Sequence, residues 1–173
     1  GFKICKNKKD VEIFLAQNKI PIVVKADGLA SGKGVFICQS KKEVKKFSDK
    51  IFLGKFKSSK KLVLEEFLEG EEASYFLIVD KNHFSFMGSA QDHKRVGENE
   101  TGPNTGGMGA YSPAPIINKN LEKKIINKII KPTLHALKEK KHPYTGFLYA
   151  GLMIKNNEPY LIEYNVRMGD PEC

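Results

Sequence analysis

Lysines at 25 and 33 bracket a run with glycines at 28, 32 and 34: Lys25-Ala26-Asp27-Gly28-Leu29-Ala30-Ser31-Gly32-Lys33-Gly34-Val35. Glycine opens backbone conformations closed to residues with a Cβ and lets main-chain N–H groups approach a ligand. Successive free N–H groups form a concave anion site and lysine adds a mobile point charge, so the chemistry of this stretch is phosphate binding. The pattern G-x-x-x-x-G-K-[ST] is not met, because Gly34 follows Lys33 and a strand-like run, Val35-Phe36-Ile37-Cys38, replaces the helix that pattern needs. By its residues alone, the stretch also fits a glycine-rich hairpin without a ligand.

A second group is Glu163-Tyr164-Asn165-Val166-Arg167. Strand alternation puts Glu163, Asn165 and Arg167 on one face. A carboxylate with an amide oxygen suits Mg²⁺, which takes oxygen ligands and keeps several waters. An arginine two residues on can grip the oxygens of a transferring phosphoryl group. A solvent-facing polar side explains the same residues. The third group is Glu65-Glu66-Phe67-Leu68-Glu69-Gly70-Glu71-Glu72. A strand end there exposes backbone C=O and N–H groups that suit an adenine edge, and a nearby carboxylate suits ribose hydroxyls; a solvated acidic turn is the plainer alternative.

Periodicity supplies elements to hold these groups. Asn7 caps a short helix carrying Val11, Phe14 and Leu15 on one face, and Lys41 to Phe52 forms a second with Val44, Phe47 and Ile51 aligned. Strands are expected at 20–24, 35–38, 62–68, 73–79 and 84–87, with Lys81-Asn82 turning between the last two. From Gln91 to Pro115 apolar periodicity vanishes while glycines accumulate, so a long functional loop is expected. Asn118 to Lys141 reads as a long helix that Pro132 kinks or divides. Two strands, 147–155 and 159–166, joined by Asn156-Asn157, complete the chain.

The 173 residues, 40% hydrophobic, suffice for one domain or two small ones. The longest apolar stretch, 146–154, is only strand-sized, and the N-terminal residues carry no secretory apolar segment. A start without Met is expected for an excised fragment or a tag remnant. Cys5, Cys38 and Cys173 show neither metal nor redox spacing and read as reduced cytoplasmic thiols; the four histidines form no ligand pair. The net charge of +9 is uneven: residues 1–61 hold 16 Lys against 5 Asp and Glu. That excess is all lysine on helix faces, without the arginine and aromatic residues of a nucleic-acid surface, so it reads as solvated. Neither a nucleic-acid partner nor a membrane is expected.

In order and spacing, the three groups resemble the ATP-grasp superfamily, whose enzymes phosphorylate a carboxylate with ATP and pass the acyl phosphate to a nucleophile. Longer blocks narrow the resemblance: 25–35, 65–74, Gln91-Asp92-His93-Lys94-Arg95, Thr101-Gly-Pro-Asn-Thr-Gly-Gly-Met-Gly-Ala-Tyr-Ser-Pro113, 144–152 and Gly169-Asp-Pro-Glu-Cys173 are similar to the phosphoribosylamine–glycine ligase family of purine biosynthesis. It covers essentially the whole chain.

That resemblance implies an α+β ATP-grasp fold: a helical segment over 1–19, a small β-rich nucleotide subdomain over 20–91, and a glycine-rich substrate loop with part of the larger subdomain over 92–173. It further implies that Lys25, Gly28, Ser31, Gly32, Lys33 and Gly34 hold the ATP phosphates, with Lys33 at the β/γ end. Adenine is expected on the backbone of Glu65, Phe67 and Leu68, ribose on Glu72, and Mg²⁺ or Mn²⁺ on Glu163 and Asn165. Arg167 would stabilise the glycyl phosphate. Asp92, Lys94, Arg95, Asn104, Thr105, Gly106, Gly107, Met108, Gly109 and Asp170 are candidates for the glycine and 5-phosphoribosylamine side. Many superfamily members place a second metal carboxylate on the preceding strand, where this chain has only Tyr149-Ala150-Gly151-Leu152. Full-length members also have N- and C-terminal domains that these residues lack, so the segment alone is expected to be inactive. Within the superfamily, a bicarbonate-using carboxylase or carboxyaminoimidazole-type enzyme is the alternative.

Overall fold

The computed structural model describes residues 1–28, 34–56, 59–81, 83–98 and 101–169, apart from the side chains at 94, 95, 101, 103, 104 and 106. The chain forms two compact units, Gly1–Leu68 and Glu69–Cys173.

The first unit contains β1 (Phe2–Cys5), α1 (Lys8–Gln17), β2 (Ile22–Ala26), β3 (Val35–Cys38), α2 (Lys41–Phe52) and β4 (Leu62–Glu66). Its strands form an antiparallel sheet in the order β1-β4-β2-β3. Both helices start on side-chain caps. Asn7 accepts from the Asp10 N–H at 3.0 Å while Asp10 accepts from the Lys6 N–H at 2.9 Å; Ser40 and Glu43 repeat the exchange, with Gln39 as the second donor. The spacing of Val11, Phe14 and Leu15 on α1, and of Val44 and Ile51 on α2, drives those residues into one core with Ile22, Val24, Leu62 and Leu64. β1 adds a strand ahead of the helix expected within 1–19. Its four residues pair with β4 far along the chain, Phe2 opposite Glu65 and Cys5 opposite Leu62.

The second unit contains β5 (Glu71–Asp80), β6 (His83–Gly97), β7 (Thr101–Tyr111), α3 (Lys119–Ile125), a π-helical turn (Ile126–Ile130), α4 (Lys131–Glu139), β8 (Gly146–Lys155) and β9 (Glu158–Asn165). The sheet order is β7-β6-β5-β8-β9. Alternate residues of β5 and β8, among them Tyr75, Leu77, Val79, Leu148, Ala150 and Leu152, bury one sheet face against Leu121, Ile125, Ile129 and Ile130. The long helix is divided as Pro132 requires. A proline ring crowds the carbonyl four residues back, here that of Lys128, and the backbone widens so that the Lys131 N–H bonds to the Ile126 carbonyl. Asn156 and Asn157 take φ of 52° and 58°, the left-handed pair of a tight hairpin turn between β8 and β9.

Two expectations differ from this architecture. The stretch expected to be a loop from residue 91 is a paired ladder, because backbone hydrogen bonds between β6 and β7 need no side-chain periodicity. And since β5 and β6 pair into the β8–β9 sheet, the contact boundary falls after Leu68 instead of after residue 91. Among the described residues, no helix is long and apolar enough to cross a membrane.

Candidate functional site

In the first unit the glycine-rich run lies between β2 and β3, whose register pairs Lys25 with Val35. The Ala26 N–H donates to the Gly34 carbonyl at 2.8 Å and the Asp27 N–H to the Lys61 carbonyl at 3.1 Å, closing the neck of the hairpin. Gly28 departs from it at φ 152°, a conformation that side chains with a Cβ rarely adopt. Ser31, Gly32 and Lys33 lie outside the described residues. At the neck, Lys25 Nζ meets Glu65 Oε2 at 2.7 Å, with both side chains largely sheltered. The sequence placed these residues in separate groups; the pairing of β2 with β4 makes them one. Phe67 and Leu68 are half-buried beyond the end of β4, where backbone groups are no longer committed to the ladder.

In the second unit, Glu72 lies near the start of β5 and is exposed. Its carbonyl accepts from Nε2 of the buried Gln91 at 3.1 Å, a tether that sequence reasoning missed. β9 carries Glu163 and Asn165 on the face away from the helices, opposite Gly151 and Tyr149 of β8. The Asn165 Nδ2 donates to Glu163 Oε1 at 3.0 Å, so the two groups meet as the alternation requires. Tyr164, between them, points to the helices: its hydroxyl donates to Thr133 Oγ1 at 2.9 Å, and burial raises its pKa. The pair fits a hard cation once the amide turns to present Oδ1. Among the described residues, no three His, Cys, Asp or Glu come together to hold a metal ion, and a hard cation of this kind takes oxygen ligands and keeps several waters.

Arg167 departs from expectation. β9 ends at Asn165, and the Arg167 Nη1 donates to the Met168 carbonyl at 2.8 Å, so strand alternation no longer fixes its face.

The glycine-rich arm has its own geometry. Between the His93–Gly109 and Arg95–Asn104 pairs, β6 has only Lys94 while β7 has residues 105–108. Thr105, Gly106, Gly107 and Met108 are therefore extruded, with Gly107 and Gly109 at φ of 139° and 154°. The Gly107 N–H donates to Thr105 Oγ1 at 3.1 Å, and Met108 is exposed. Asp92 is half-buried opposite Ala110. Lys94, Arg95 and Asn104 enter only by backbone register, and Asp170 lies outside the described residues. Burial disfavours the thiolate of both buried cysteines: with Glu43 nearby it pushes Cys38 up to about 11, and with Asp10 nearby it raises Cys5.

Residues 1–173 match the model of the phosphoribosylglycinamide synthetase ATP-grasp (A) domain. A phosphoribosylamine–glycine ligase from Vigna unguiculata is 51% identical over 164 residues, covering 92% of this chain and 53% of that protein. One from Brucella melitensis is 49% identical over 168 residues, covering 96% of this chain and 39% of that protein. The crystal structure of phosphoribosylamine–glycine ligase from Thermotoga maritima superposes with a TM-score of 0.90 at 37% identity, covering 99% of this chain and 44% of that one. The chain thus spans about two fifths to one half of these relatives' lengths.

Proposed function

The chain belongs to the phosphoribosylglycinamide synthetase family through its ATP-grasp domain, and from that premise we propose that the intact protein joins glycine to 5-phosphoribosylamine with ATP. The observation that carries this reading is the match of residues 1–173 to that domain. A glycine carboxylate oxygen attacks the γ-phosphorus and displaces ADP. The amine of phosphoribosylamine then attacks the carbonyl carbon of glycyl phosphate, loses a proton and expels phosphate, leaving glycinamide ribonucleotide.

Lys25 and the 28–34 loop hold the phosphates, the loop's Lys33 at the β/γ end, and the backbone at Glu65, Phe67 and Leu68 receives adenine. Glu72, its backbone tethered by Gln91, binds ribose. Glu163 and Asn165 hold Mg²⁺ or Mn²⁺, which when bound neutralises phosphate charge. Arg167, two residues past the end of β9, stabilises the acyl phosphate. Asp92, Lys94, Arg95 and the extruded 104–109 segment, with Asp170, form the glycine and phosphoribosylamine side. The protein works in the cytoplasm, and residues 1–173 alone do not turn over, a reading supported by their spanning only about two fifths to one half of the relatives' lengths.

Substrate choice is checked by ADP release from the intact protein. Stimulation by glycine in the presence of phosphoribosylamine supports the reading; stimulation by bicarbonate and not glycine overturns it.

A further inference from the structure

The β8–β9 ladder pairs Gly151 with Glu163 but Leu152 with Leu161, leaving Ile162 as one extra residue on β9. Such a bulge re-aims the side chains beside it. Gly151, directly opposite Glu163, has no φ in the left-handed region, so its backbone does not require glycine. A glycine in a strand interior costs about 0.5–1 kcal/mol relative to alanine. What it provides is space. A Cβ at position 151 would stand 3.2 Å from Glu163 Cγ, 3.7 Å from the Glu163 carbonyl oxygen and 3.9 Å from Tyr149 Cε2.

The neighbours leave little freedom to yield. Tyr149 is 7% exposed, and its hydroxyl accepts from Ser74 Oγ at 3.1 Å. Ser74 is the β5 partner of Gly151, so the Tyr149 ring leans across the glycine towards it. The yielding group is therefore Glu163, whose carboxylate sits 3.0 Å from the Asn165 amide.

We propose that Gly151, acting with the Ile162 bulge, is a positioning residue that sets the Glu163 carboxylate beside Asn165 for cation binding. The inference rests on the reading of Glu163 as a metal ligand. Gly151 touches neither metal nor substrate; it acts by leaving the place where a methyl group would displace Glu163.

The test uses the intact ligase with Mn²⁺ as the probe, in the presence of ADP, free Mn²⁺ being followed by electron paramagnetic resonance. Groups that orient metal ligands are typically worth 10–100-fold in affinity, so Gly151→Ala should weaken Mn²⁺ binding about 10-fold. Its melting temperature should equal or exceed the parent's. Gly88→Ala, at a β6 glycine with nothing within 4 Å of a built Cβ, should leave affinity unchanged. Glu163→Gln tests the underlying reading separately and should weaken binding more than either. Unchanged affinity in Gly151→Ala, with weakened affinity in Glu163→Gln, overturns the positioning role and leaves the metal reading standing. Unchanged affinity in Glu163→Gln removes the metal reading and the inference with it. A melting temperature lowered in Gly151→Ala as far as by a core truncation assigns the glycine to packing and overturns the proposal.

Discussion

In the first unit, the groups suited to a nucleotide combine backbone with lysine side chains: a hairpin neck held by Ala26–Gly34 and Asp27–Lys61 hydrogen bonds, with Lys25 tied to Glu65 beside it. In the second, they are side chains on one strand face, Glu163 and Asn165, beside a bulge. The backbone part tolerates side-chain changes around it and fails when loop geometry changes. A strand-face site fails when a single side chain or the register moves. Each unit also has a separate core, and the reporters divide the same way. All six tyrosines, at 75, 111, 144, 149, 160 and 164, are in the second unit, whereas the buried Cys5 and Cys38 are in the first.

The largest effects should come from the cores. Leu64→Ala and Leu152→Ala each delete a fully or nearly fully buried side chain and should cost about 2–5 kcal/mol. Urea unfolding should assign them: Leu64→Ala advances the exposure of Cys5 and Cys38 to a thiol reagent, and Leu152→Ala advances the change in tyrosine fluorescence. If each mutation shifts both probes equally, the cores are not separable.

Next comes the strand face. Glu163→Gln should lower turnover of the intact enzyme by more than about 100-fold, beyond the range of an orienting group, and added Mn²⁺ should not restore it. A smaller effect is expected at the hairpin neck. Lys25→Ala should raise the KM for ATP about 10-fold, the equivalent of one lost charge-assisted contact, with the circular dichroism spectrum unchanged. Lys33→Ala should mainly lower kcat; an unchanged rate would remove the loop from phosphate binding.

The smallest effect is on pH dependence. Burial raises the pKa of Tyr75, with Glu122 beside it, and that of Tyr164. A raised folded value means stability is fully present below the unfolded value, about 10 for tyrosine, and falls as pH rises above it. The thiols of the first unit act earlier. Cys38 is shifted from 9.0 to about 11, so that contribution is complete below pH 9 and lost on the way to about 11. Alkaline titration should therefore show the first unit loosening before the second, by thiolate and tyrosinate absorbance respectively. The reverse order would contradict the burial assignments.

Much of this was legible from side-chain pattern. Asn7 sits where a cap belongs, Val44 and Ile51 share a face, and Asn156-Asn157 suits a tight turn, whereas the Ser40 cap was not read. β1 was not legible: its apolar residues Phe2 and Ile4 are exposed, and its partner lies some sixty residues away. The start of β6 was legible over 84–87, but its continuation from residue 91 and all of β7 escaped, because that stretch has no apolar period and only backbone pairing could reveal it. At the candidate site, alternation put Glu163 and Asn165 on one face, where their side chains meet. The Lys25–Glu65 contact, the Ile162 bulge and the placement of Arg167 past the end of β9 depend on cross-strand register and on where a strand stops, which single-residue pattern does not encode.

The central proposal is that the glycine carboxylate takes the γ-phosphoryl group and that the amine then attacks the acyl carbon and expels phosphate. The most direct measurement is oxygen-isotope transfer from glycine labelled with ¹⁸O in both carboxylate positions, using the intact protein with ATP and phosphoribosylamine. One labelled oxygen should appear in the inorganic phosphate and the other in the amide of glycinamide ribonucleotide. Product formation with no label in the phosphate would contradict the account.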